Sequence, residues 1–87
     1  MTRKEMLTET EKCVCTDRET QYGSPESSFS KIADLWTAYS GREYTPLDVT
    51  MYLALLKVAR IATGQIKDDN FVDLAGYAAC GCEIATK

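Results

Sequence analysis

The sequence has no histidine, which removes the commonest general base and the commonest zinc ligand from consideration. It also has no excess of positive charge. Ten Lys and Arg stand against thirteen Asp and Glu, for a net charge of -3 and a pI near 4.8. A protein that coats the phosphates of a nucleic-acid duplex is thereby disfavoured, and any basic site must be local. Long apolar runs are missing too. The most apolar stretch, Met51 to Ala62, is interrupted by Lys57 and Arg60 and is too short to cross a bilayer. The opening residues MTRKEMLTETEK carry no apolar leader, so a reducing, cytoplasmic setting is expected.

With prolines only at 25 and 46 and no alternating strand pattern, the chain reads as helix throughout. Thr2 and Glu5 form a capping box that opens a helix over about residues 3–19. Tyr22-Gly23-Ser24 ends that segment, and Ser24-Pro25 supplies a cap and a first-turn proline for a second helix over about 25–40. Phe29, Ile32, Ala33, Trp36 and Tyr39 then recur at helical spacing. Thr45-Pro46-Leu47-Asp48 repeats the cap-plus-proline start for a third helix over about 46–63. Asp68-Asp69-Asn70 reads as the cap of a fourth, over about 69–85. The expectation is one all-α domain over 1–87, a bundle of about four helices.

A chain of 87 residues buries only about 60% of its unfolded surface. Oligomerisation into a dimer or tetramer is therefore expected to complete the core, since the third helix is apolar around most of its circumference. The fourth helix carries Ala75, Gly76, Ala78, Ala79, Cys80 and Gly81, which allow close approach of another helix.

Polar residues inside these helices define the candidate site. Lys57 and Arg60 lie three apart on one face, and Asp69 and Asp73 lie four apart with Asn70 beside them and Tyr77 one turn on. An antiparallel hairpin of the third and fourth helices sets Lys57, Arg60 and Asp73 level. Two readings follow: a salt-bridge network that fixes the hairpin register, or a small-anion site. For the second, Arg18 adds a further phosphate contact, and Tyr22 and Trp36 offer aromatic walls. The Cys13/Cys15 and Cys80/Cys82 pairs cannot chelate zinc on an intact helix, because residues two apart point about 200° apart. No metal or catalytic residue is assigned.

The strings YGSPESSFSKIADLW, TPLDVTMYLALLKVARI and DNFVDLAGYAA resemble an uncharacterised family of small phage and prophage proteins over Cys15 to Ala85. More loosely, Tyr-Gly followed by Lys-x-x-Arg and Asp-x-x-x-Tyr is similar to the MazG-like all-α nucleotide-binding proteins. That resemblance implies a helical, usually oligomeric nucleotide binder and carries Tyr22, Lys57, Arg60, Asp73 and Tyr77 as ligand residues. The Glu-x-x-Glu pair with which MazG-like enzymes hold magnesium is missing, since Glu9 and Glu11 are two apart, as are Asp17 and Glu19.

The resemblance therefore implies a phage protein that sequesters a nucleotide or cyclic nucleotide defence signal in the host cytoplasm, without turnover and without a cofactor. Two rivals stand beside it. One is a Mg2+-dependent pyrophosphohydrolase using Asp69 and Asp73 with Glu19 or Glu83. The other is an inhibitor that docks on a host protein.

Overall fold

The computed structural model describes residues 1–87 as an all-α fold of four helices. The first, α1, has three parts: an α segment Arg3–Lys12, a π-helical turn Cys13–Asp17 and a second α segment Arg18–Tyr22. Then come α2 (Pro25–Ser40), α3 (Pro46–Ala62) and α4 (Asp68–Thr86). The main hairpin is α3 with α4; α2 packs on α3, and the first segment of α1 packs on α4. No helix is long and apolar enough to cross a membrane.

Three of the four helix starts follow their sequence signals. Thr2 with Glu5 and Thr45 with Asp48 form reciprocal capping boxes, and Ser24 accepts from the Ser27 amide ahead of Pro25. Such caps satisfy amides that the helix itself leaves unpaired. The fourth start differs. Lys67 is the cap residue and gives no side-chain bond, while Asp68 and Asp69 already lie in the first turn. Asn70 is buried and donates instead from Nδ2 to the Gln65 carbonyl at 2.9 Å, tying the 63–67 connection to the helix it precedes.

The core is small. Only 11 of 87 residues are buried, and the central cluster is Phe29, Ala33, Val49 and Cys80. The small residues of α4 serve this core within the chain. A Cβ on Gly76 would come within 2.7 Å of Val14 Cγ1, and one on Gly81 within 2.8 Å of Thr50 Oγ1. These glycines let α1 and α3 approach the α4 backbone. Ala78 and Ala79, by contrast, are exposed, so the close-packing face of α4 is narrower than its composition implies. At the far end Lys87 bridges Glu26 at 3.1 Å, which fastens the end of α4 to the start of α2.

Candidate functional site

The site is organised by the π turn. At Arg18 the backbone amide bonds to the Cys13 carbonyl, five residues back rather than four. One extra residue is thus wound into α1, and the residues beyond it are rotated relative to a continuous α-helix. The rotation brings the Arg18 guanidinium over the Phe29 ring at 4.6 Å from its centroid, with the Tyr22 ring at 5.4 Å. A guanidinium over an aromatic face is held by the ring quadrupole and pre-oriented for planar recognition.

Arg18 separates two concavities. On the inner side is a narrow cavity of about 90 Å3 lined by Cys13, Val14, Arg18, Phe29, Asp73, Gly76, Tyr77 and Cys80. On the outer side is a groove of about 510 Å3 lined by Arg18, Gln21, Tyr22, Ser28, Lys31 and Ile32. Two polar atoms here are shielded from solvent and have no hydrogen-bond partner, Arg18 Nε and Ser28 Oγ. A buried donor left unpaired costs about 1–3 kcal/mol, so each of these atoms calls for a partner from outside the chain, whether water, an ion or a ligand.

Below the inner cavity, Lys57 Nζ meets Asp73 Oδ2 at 2.9 Å, with the lysine side chain 11% exposed and the aspartate 43%. This pair joins α3 to α4 at the depth the hairpin geometry requires. Phe29 and Tyr77 meet edge to face at 6.4 Å across the same cavity.

Of the nine residues singled out in the sequence, five gather around Arg18: Arg18 itself, Tyr22, Lys57, Asp73 and Tyr77. The other four do not. Trp36 lies in a separate aromatic cluster, 5.7 Å from Tyr44 and 6.4 Å from Tyr52. Arg60 is exposed and forms no ion pair within the chain. Asp69 is exposed in the first turn of α4, and Asn70 is spent on its bond to Gln65. Gln21, Ser28 and Lys31 were not singled out, because polar residues beside a turn and on the outer face of an amphipathic helix read as solvated.

No three carboxylate or thiol groups come together as a set able to hold a metal ion. The cysteines divide by environment. Cys15 and Cys82 are exposed; Cys80 is buried and Cys13 partly so. Burial raises the pKa of both Cys13 and Cys80, and Glu9 beside Cys13 raises it further. A raised pKa lowers the thiolate fraction at a given pH. Alkylation at pH 8 is therefore expected to label Cys15 and Cys82 first and Cys80 last. Mass spectrometry of a time course checks the order, and early labelling of Cys80 would contradict the packing of α4.

A family model matches residues 5–85, that of the domain of unknown function DUF6378. The chain belongs to the DUF6378 family. It is similar to the Gene 55 protein of Mycobacterium phage L5, with 40% identity over 74 residues, 84% of this chain and 47% of that protein. It is also similar to the Gene 55 protein of Mycobacterium phage D29, with 35% identity over 75 residues, 86% of this chain and 50% of that one. The chain spans about half the length of the curated relatives it matches. No solved structure matches it significantly. The phage resemblance of the sequence strings is thus established at the level of this DUF6378 family.

Proposed function

We propose that this DUF6378 protein binds a phosphate-bearing nucleotide in the Arg18 groove and holds it intact, as a phage sponge for a host defence signal in the host cytoplasm. The reading rests on one observation: Arg18 Nε and Ser28 Oγ are buried, unpaired and set beside a groove that also carries Lys31 and Tyr22. Two cations and a hydroxyl suit phosphate oxygens, and an exposed tyrosine ring suits a base. The groove's volume of about 510 Å3 falls in the range of about 300–1,000 Å3 common to small-molecule sites.

Lys57, named in the sequence as a phosphate grip, is taken up by Asp73 and serves here as support beneath the inner cavity. The same engagement of Asp73 favours binding over turnover, because the carboxylate is already neutralised by a lysine rather than grouped with others around a divalent cation. A cyclic or ADP-ribose-type nucleotide fits this donor set, and a homo-dimer or homo-tetramer is part of the proposal.

The test is incubation with a nucleotide panel and magnesium, then denaturation and chromatography. Recovery of an intact ligand is expected. Released pyrophosphate or monophosphate would replace the sponge by a Mg2+-dependent pyrophosphohydrolase. Arg18→Ala is expected to weaken binding by about 10- to 150-fold, the scale of a lost charge-assisted hydrogen bond of about 1.5–3 kcal/mol, whereas Arg60→Ala leaves affinity unchanged. The reverse pattern would return the phosphate to α3.

A further inference from the structure

Away from the Arg18 groove, the corner where α2 gives way to α3 gathers four aromatic residues. Trp36 and Tyr39 lie near the end of α2, Tyr44 in the connection and Tyr52 in the second turn of α3. Local bonds fix the connection. Gly41, at φ 75°, sends its amide to the Thr37 carbonyl, and Thr37 Oγ1 accepts from the Tyr44 amide at 3.0 Å. Ser40 Oγ accepts from the Arg42 amide at 3.1 Å and donates to the Trp36 carbonyl at 2.8 Å. The backbone that carries Tyr44 is thereby held against the last turn of α2.

The Trp36 and Tyr44 rings stand 5.7 Å apart at 87°. Tyr52 meets Tyr44 at 5.9 Å and 72° and Trp36 at 6.4 Å and 54°. A cavity of about 370 Å3 opens here between Trp36, Tyr39, Ser40 and Tyr44. Tyr52 does not border it, so Tyr52 backs the other two rings. Trp36 and Tyr44, both half-buried, form the corner. Tyr39, 95% exposed, stands at its mouth and contributes almost nothing to the core.

This lining selects a charge and a shape. Aromatic faces are negative and attract cations, whereas an anion finds no cationic wall. No cation of the chain takes the place: both of its cation-ring contacts belong to Arg18, and Arg42, in the same connection, stands over no ring. Glu43, beside Tyr44, forms no ion pair within the chain. Rings at right angles suit a round cation that touches both faces, while a planar guanidinium or base stacks on one. A lysine ammonium would have to shed water for which the ring faces are poor replacements. We infer that this corner binds a quaternary ammonium group. The inference is independent of what the Arg18 groove binds.

Trp36 is the only tryptophan, so its fluorescence reports the corner directly. Titration with choline chloride against sodium chloride of equal ionic strength is expected to give a saturable change with a midpoint of about 1–30 mM, the scale of a few ring contacts. The neutral isostere 3,3-dimethylbutanol is expected to bind at least about tenfold more weakly. Tyr39→Ala is expected to weaken choline binding about threefold to tenfold with an unchanged melting temperature, and Tyr22→Ala to leave it unaltered. No saturable change up to about 100 mM would overturn the inference, as would equal binding of the neutral isostere or full affinity in Tyr39→Ala. Loss of binding in Tyr22→Ala would move the cation to the Arg18 groove and overturn it too. Tighter binding of methylguanidinium or adenosine than of choline would overturn the choice of a round cation.

Discussion

Phe29→Ala is expected to lower stability by about 3–5 kcal/mol, the range for deleting a buried phenyl group. Phe29 is fully buried at the centre of a four-residue core cluster, so little neighbouring mass can collapse into the space. A domain of this length has a total stability of roughly 4–13 kcal/mol, so the loss removes a large share of it and unfolds the chain outright where the total lies at the low end of that range. Phe29 also underlies the Arg18 guanidinium at 4.6 Å. Phe29→Leu, which keeps most of the apolar volume but not the ring face, should cost less and loosen Arg18. Urea unfolding of both variants measures the difference. A loss under about 1 kcal/mol for the alanine variant would mean that the core is not where the structure puts it.

Breaking the Lys57–Asp73 pair is expected to be asymmetric. Asp73→Ala leaves an ammonium that is only 11% exposed without its counter-ion. Removing one partner of a fully buried pair costs about 3–5 kcal/mol; with the aspartate 43% exposed, about 2 kcal/mol is the discounted figure. Lys57→Met removes the cation itself and replaces it with an apolar chain of similar length, so its cost should be near zero or favourable. The aspartate left behind remains open to water. Thermal melts of the two single variants and the double variant give the coupling. Equal losses from both single changes would show that the pair contributes attraction well beyond its desolvation cost.

Much of the architecture was legible because helix starts are written locally. Thr2 with Glu5, Ser24-Pro25 and Thr45 with Asp48 depend on contacts three residues apart, and each forms as read. The start of α4 was less legible. Asp68, Asp69 and Asn70 are all good caps by type, and the choice among them was made by Asn70 reaching back to Gln65, a bond that exists only once the connection is folded.

The level of Lys57 with Asp73 could be read from the rise per residue, since a short turn fixes where antiparallel helices begin. Trp36 could not be placed in the same way. It shares the apolar stripe of α2 with Phe29 and Ala33, but seven residues, or about 10 Å, separate it from Phe29 along the helix, and Tyr44 and Tyr52 claim it. Nor did the sequence show the π turn. Its residues Cys13 to Asp17 have no proline or glycine, and their spacing fits an ordinary helix.

That turn has an implication for how the family can tolerate change in length. A helix with one surplus residue is a phase shifter: upstream of it Thr10 is buried, with its hydroxyl donating to the Met6 carbonyl and lying 3.5 Å from the Val72 carbonyl, while downstream of it Arg18 is aimed at α2. Each half has its own angular setting, and the surplus residue reconciles them. Deleting any one residue between 13 and 17 would let the turn relax to ordinary α-helix and would leave Arg18 aimed at Phe29, because the turn already absorbs the roughly 100° of that surplus residue; straightening the turn without a deletion is what would swing Arg18 away. Length in this short stretch is therefore free by one residue, and a homologue one residue shorter here would keep both the fold and the direction of its arginine with a plain α-helix in place of the turn.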